Sequence, residues 1–510
     1  MTTTRPEPPT ARALALSGLL AGAAGLVVGE VLGRVVPGAS SPVLAVADRV
    51  VDLAPTSLRQ PAIEAFGSAD KPLLIGGVLL VVAALAACGG RLAGRAPRAA
   101  AGLVVALSLV VLLAQLPEPD AGLLGAALVA ATLAATTLAV LRMLVGLAPA
   151  AAPQGGVGRR RFLARSAAVG LAVVGAGGLL RSLAVRADVG AVREALDLPP
   201  PLRPAPGDVA AADLRVSGVA PVLTPNAEFY RIDTALLVPQ VDPTTWSLRV
   251  EGLVDRPLVL RYDDLLAMRQ VEADITISCV SNEVGGDLVG TARWQGVLLR
   301  DVLERAGLRA GAEQVVGRSV DGFTAGFPVR YATDGRLSMI ALGMNGEPLP
   351  VRHGFPARLV VPGLYGYVSA TKWLARLQVT TWAGFDGYWV PRGWSKEGPI
   401  KTSSRIDVPG REVDAGEVVV AGVAWAPGLR RGIAAVEVRV DGGPWQPAAL
   451  GGALSEDTWR QWRWTWQATP GRHLLEVRAT DGLGDVQTGE VVPIMPDGAT
   501  GYHGVEVDVR

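Results

Sequence analysis

At 510 residues the chain is long enough for three domains. Its 48 basic and 47 acidic residues leave a formal charge of +1, which gives no electrostatic basis for binding nucleic acid. Two cysteines exclude a disulfide framework and a zinc site of four cysteines.

Half the residues are hydrophobic but only 5% are aromatic, and the excess of Ala, Val, Leu and Gly lies before residue 185. Four apolar stretches, 13 to 33, 72 to 90, 99 to 116 and 121 to 141, have about the length of a membrane-crossing helix. Glu30 falls near the end of the first, within reach of the interface, and a polar loop with Asp48, Arg49, Asp52 and Lys71 follows. Ten basic residues flank the spans on the side of the N-terminus and four on the other, which places the N-terminus inside. The three histidines are His353, His473 and His503, so the spans cannot ligate haem through paired histidines and read as an anchor. A fifth, Gly-rich segment runs from Arg159-Arg160-Arg161-Phe162-Leu163 to Leu180. It reads as an ordinary span or, since paired arginines before Phe-Leu resemble a twin-arginine export signal, as an internal export signal. Either way the remainder lies outside the cytoplasm, as part of a multi-pass plasma-membrane protein. Residues 1–185 are thus predicted to hold about five spans, and residues 186–214, with Pro199-Pro200-Pro201, to form a linker.

From there to about residue 405 short strands and helices alternate, as in an α+β domain; Trp246–Gly252 has strand periodicity and Tyr262–Met268 reads as helical. Within it, Ile275-Thr276-Ile277-Ser278 leads to Cys279 where the strand is predicted to break. A lone cysteine is either a small buried hydrophobe or a thiolate ligand to a soft metal. After Gly410 the pattern changes to short alternating strands, including 417–422, 435–440, 462–466 and 474–479, separated by turns such as Asp441-Gly442-Gly443. That spacing predicts an immunoglobulin-like β-sandwich over 406–510, with the tryptophans as core and edge packing.

Downstream of Cys279 stand Thr291-Ala292-Arg293-Trp294-Gln295-Gly296, Met344-Asn345-Gly346-Glu347-Pro348-Leu349-Pro350, His353-Gly354-Phe355-Pro356 and Arg358-Leu359-Val360-Val361-Pro362-Gly363. In this order they resemble the sulfite oxidase family of molybdenum enzymes. The resemblance implies a molybdopterin-binding domain over 215–405, a C-terminal dimerisation domain and hence a possible homodimer, and a molybdenum-molybdopterin cofactor whose metal is held by Cys279 and a pyranopterin dithiolene. It matches His353, Arg358 and Lys372 to phosphate-binding positions, although the segment Tyr365–Lys372 is about one residue longer here and lacks an Arg-His pair. It sets Tyr230-Arg231 where an aromatic residue precedes an arginine facing the substrate, and Asn226 beside the pterin. Read singly, Asn226 is also a turn residue after Pro225, Arg231 a solvated arginine, His353 a loop hydrogen-bonding residue and Arg358 a surface ion-pair partner.

The resemblance further implies oxygen-atom transfer, with the cofactor doing the chemistry. Yet the arginine expected soon after the cysteine is replaced within Asn282-Glu283-Val284, and the tryptophan-bearing insertion is shortened to 285–290. The pocket tyrosine is replaced near Trp389–Trp394, with Trp394 nearest in register and Tyr388 close by, and the last arginine is absent from 496–501. Losing two of three cations disfavours a dianion, so an S- or N-oxide substrate is expected rather than sulfite. The alternatives are sulfite oxidation and a non-catalytic interaction module; a transporter is disfavoured by the near absence of intramembrane ionisable residues. With no haem or iron-sulfur motif, electrons must pass to or from a separate partner, a quinone or a cytochrome.

Overall fold

The computed structural model describes residues 9–36, 38–54, 70–118, 122–149, 156–186 and 188–510. The chain divides into two compact units, Met1–Asp188 and Val189–Arg510. The first contains α1 (Ala11–Val35), α2 (Pro42–Leu53), α3 (Asp70–Ala93), α4 (Pro97–Gln115), α5 (Leu123–Val145) and α6 (Gly156–Arg186). Among the described residues four helices, Ala11–Val35, Lys71–Ala93, Pro97–Gln115 and Leu123–Val145, are long and apolar enough to cross a membrane. The fifth apolar segment lies within α6, and the polar loop after the first span contains α2. Small residues let these helices approach: a Cβ on Gly18 would come 2.0 Å from the Ala86 carbonyl oxygen. Glu30 spends its carboxylate on the start of α2, accepting from Ser41 Oγ at 2.8 Å and from the Val43 N–H at 3.0 Å.

The second unit opens with two sheets. One has the order β2 (Leu258–Arg261), β1 (Ser247–Gly252), β10 (Leu374–Thr380), β5 (Gln314–Ser319), β6 (Thr324–Pro328), with only β1 and β10 parallel. The other has the order β3 (Gln270–Ser278), β4 (Val289–Leu298), β7 (Met339–Met344), β8 (Glu347–Pro348), and β9 (Arg358–Val360) also pairs with β7. Nearly every residue of β3 is buried, which explains its apolar run. As an edge strand it would present unpaired backbone, and two distant segments cover it. The stretch predicted as a linker runs extended beside its first half, where Leu202 donates its N–H to Gln270 O at 2.9 Å and Glu272 donates to Arg203 O at 2.8 Å. The second half is covered from the C-terminal region: Thr276 donates its N–H to Asp457 O at 2.8 Å, and Trp459 N–H donates to Thr276 Oγ1 at 2.7 Å.

That region is a two-sheet sandwich. β11 (Ser403–Val408), β13 (Gly416–Trp425), β17 (Arg460–Ala468) and β16 (Ala449–Leu450) form one sheet. The other is β12 (Glu412–Val413), β19 (His503–Val509), β18 (Gly471–Asp481), β14 (Ile433–Val440) and β15 (Gln446–Pro447). Val420, Val438, Trp462, Leu475, Val477 and Val507 from both sheets share the core. Trp466 belongs to it as well, whereas Trp445 lies under the guanidinium groups of Arg439 and Arg478.

Asp457, beside β3, is 7% exposed and accepts the Gly428 N–H at 3.0 Å; burial, reinforced by Glu456, pushes its carboxyl up to about 7. A carboxyl raised on folding contributes stability that is full below its unfolded value near 4 and is lost as pH rises through about 7. The loss is on the order of 4 kcal/mol. Asp457→Asn keeps the acceptor without the charge, so the variant should melt higher than the natural chain at pH 8 and similarly at pH 4. Equal melting differences at the two pH values would refute this account.

Candidate active site

Cys279 follows the last residue of β3, and its backbone is tied into the β3–β4 connection. Its N–H donates to Leu288 O at 2.9 Å, and its carbonyl accepts from the Asn282 N–H at 3.1 Å. The thiol is buried, and burial pushes its pKa up, against hydrogen bonds from Ser281 and the charge of Lys372. It lines a cavity of about 900 Å³, counting the space at the mouth. No group of three or more His, Cys, Asp or Glu that could hold a metal occurs among the described residues. A metal at Cys279 would therefore need ligands that arrive with a cofactor.

Of the seven residues singled out from the sequence, Cys279, Tyr230, His353, Arg358 and Lys372 line this cavity, and Arg231 and Asn226 do not. Arg231 is turned onto Asp233, with Nε 2.8 Å from Oδ2 and Nη2 3.2 Å from Oδ1. Lys372 Nζ reaches the same carboxylate at 2.8 Å. Asn226 spends its amide on Met344 O, Glu347 and Asn345, and its carbonyl lies 3.0 Å from His353 Nε2. Since that carbonyl can only accept, Nε2 carries the proton. Asn226 thus orients the imidazole.

Burial and the neighbouring Arg358 depress His353 to about 3, so it is a neutral hydrogen-bonding group. Arg358 sits under the Trp294 ring at 4.9 Å and is 4% exposed. It donates Nη1 to His353 O at 3.1 Å and has no carboxylate within ion-pair distance among the described residues. Burial lowers it to about 10, and lowers Lys372 to about 8 despite Asp233. Burial also pushes the Tyr230 phenol far above its usual range, with Cys279 adding to the shift.

Several lining groups carried no signal in the sequence reading. Asp233 stands two residues after Arg231 in an irregular segment. Asp321 lies in Val320-Asp321-Gly322-Phe323, which joins β5 to β6; an Asp-Gly pair between strands reads as a hairpin turn, which it is. Burial raises its carboxyl pKa, and it accepts from Thr234 Oγ1 at 3.4 Å. Tyr367, Trp389 and Trp394 line the cavity as well.

A buried guanidinium without a counter-ion is costly, and here it lines a cavity beside a thiol, a neutral imidazole and a lysine. These groups fit a phosphate-bearing cofactor whose metal accepts one thiolate. The class follows from the residues themselves: 235–389 match the oxidoreductase molybdopterin binding domain. Mitochondrial sulfite oxidase of Rattus norvegicus is 32% identical over 322 residues, covering 53% of this chain and 58% of that protein. Sulfite oxidase of Gallus gallus is 32% identical over 324 residues, covering 53% of this chain and 69% of that protein. The chain belongs to the sulfite oxidase family of molybdopterin-dependent oxidoreductases, and its cofactor is molybdenum-molybdopterin. The sulfane dehydrogenase SoxCD from Paracoccus pantotrophus shares the fold, with a TM-score of 0.50, 23% identity and coverage of 58% of this chain and 86% of that one. The chain spans little more than half the length of the rat enzyme.

Proposed function

We propose that the chain is a membrane-anchored, extracytoplasmic oxidoreductase that moves an oxygen atom to or from a small S- or N-oxide type molecule rather than sulfite. When bound, the cofactor supplies a metal that gains and loses electron pairs as the oxygen atom moves. Cys279 is the protein's ligand to it, as thiolate, since a bound metal deprotonates a ligating thiol. Arg358 and Lys372 take the pterin phosphate, His353, whose Nε2 proton is spent on Asn226 O, accepts a hydrogen bond at Nδ1, and Tyr230 closes the cavity beside the thiol. Arg231 acts through Asp233, and Asn226 through His353. The observation that carries the substrate reading is the absence of a spare cation: the lining cations are Arg358 and Lys372, both claimed by the phosphate in this reading, and Lys372 is also paired with Asp233. A sulfite dianion would need several charge-assisted hydrogen bonds, each contributing roughly 1.5–3 kcal/mol. Sulfite oxidation is the second reading, favoured by the names of the two relatives. Steady-state assays with sulfite and with S- and N-oxides decide between them, and sulfite turnover at about 10⁴ M⁻¹s⁻¹ or more would overturn the first.

The four apolar helices are read as spans with the N-terminus inside, the electron partner as a quinone or cytochrome at that membrane, and the sandwich as immunoglobulin-like. Protease added to intact spheroplasts should then degrade residues 190–510. Protection under conditions that cut an exported control would reverse the topology.

A further inference from the structure

Three aromatic residues that line the cavity have been given no role so far. They are Tyr367, in the helical turn Gly366–Ser369, and Trp389 and Trp394, which flank the turn Val390–Arg392. Tyr367 and Trp394 have ring centroids 5.8 Å apart and planes inclined at 50°; Trp389 and Trp394 are 6.4 Å apart at 75°. The three rings are therefore not stacked flat on one another but meet as a corner, and all three line the cavity. The corner is held in advance. Tyr367 donates its hydroxyl to Ser395 O at 2.7 Å, and its ring is backed by Gly398, where a Cβ would lie 2.7 Å away. Trp389 is braced by the edge of Tyr388 at 5.1 Å, and its carbonyl accepts from the Arg392 and Trp394 N–H groups.

We propose that this aromatic corner is the substrate-binding wall and that it selects tertiary amine N-oxides, whose cationic, methyl-bearing nitrogen is the group that converging aromatic faces hold best. This rests on the oxygen-atom-transfer reading above. Charge supports it: the lining cations Arg358 and Lys372 are taken by the phosphate, Lys372 also pairs with Asp233, and Asp321 adds a second lining carboxyl, so no positive charge is left over to hold an oxyanion, whereas a zwitterion needs none. A sulfoxide offers oxygen without the full positive charge and gains less from the rings. The reaction balances with a quinol as reductant: the N–O bond breaks, nitrogen keeps the bonding pair as its lone pair, and oxygen takes two electrons and two protons to leave as water. The products are tertiary amine, water and quinone.

The test uses the full-length, molybdenum-replete protein in detergent. Tetramethylammonium should quench tryptophan fluorescence and compete with trimethylamine N-oxide, whereas the neutral isostere tert-butanol should bind at least about tenfold more weakly. Trp394→Leu should raise both the tetramethylammonium dissociation constant and the KM for the N-oxide about tenfold at unchanged molybdenum content, and Trp394→Phe, which keeps a ring, should recover most of the loss. Equal binding of the cation and tert-butanol, or a Trp394→Leu protein with unaltered constants, would overturn the assignment. If Trp394→Leu does not fold, the phenylalanine variant and the cation-to-isostere ratio of the natural protein still decide. Should dimethyl sulfoxide be turned over as well as the N-oxide, the amine selectivity falls and oxygen-atom transfer stands. Should neither be reduced by loaded enzyme, the broader reading falls with it.

Discussion

Cys279→Ser is expected to abolish turnover while removing one sulfur neighbour from the molybdenum centre. The thiol is the cavity's single sulfur donor among the described residues, and no cluster of other metal-binding side chains stands by to replace it. The fold should survive. A hydroxyl at this buried position costs at most about 1–3 kcal/mol if it finds no partner, and the backbone bonds to Leu288 and Asn282 do not involve the side chain. X-ray absorption distinguishes the explanations: an unchanged sulfur count in the variant would remove Cys279 from the metal.

The second large effect concerns Arg358. Replacing it with Met should lower cofactor retention by about a hundredfold, because a forked, charge-assisted pair with a phosphate is worth roughly 3 kcal/mol. The cofactor-free variant should nevertheless be at least as stable as the cofactor-free natural chain. In that state the guanidinium is buried beneath Trp294 with no carboxylate partner, and an uncompensated buried ion costs several kcal/mol. Molybdenum content and melting temperature should therefore move in opposite directions. Natural stoichiometry in Arg358→Met would show that the phosphate sits elsewhere.

Much of this architecture is legible along the chain. Four apolar runs of membrane-crossing length become four helices of that length, and the alternation at 435–440 and 474–479 becomes β14 and β18, whose inward residues form the sandwich core. The break after Ile275-Thr276-Ile277-Ser278 falls where β3 ends and Cys279 begins. These features depend on local periodicity, which records how often a residue faces away from water.

What the periodicity leaves open is which atom each buried group meets. Arg231 and Lys372 share one carboxylate although Lys372 is 139 positions from Asp233, and His353 takes its orientation from a carbonyl 127 positions away. The Pro-rich stretch before residue 214 has the composition of a linker, yet Leu202 and Arg203 complete the edge of β3, because an exposed strand edge needs partners that composition does not specify.

The sequence by itself therefore determined the apolar helices, the strand that ends at Cys279 and the order of motifs that define the family. Only the tertiary structure decided that His353 is neutral, that Arg231 is occupied by Asp233, and that Tyr367, Trp389 and Trp394 meet in one wall. The physical reason is that charge state and ring geometry depend on desolvation and on neighbours distant in the chain, and both arise only when the separate segments are packed together.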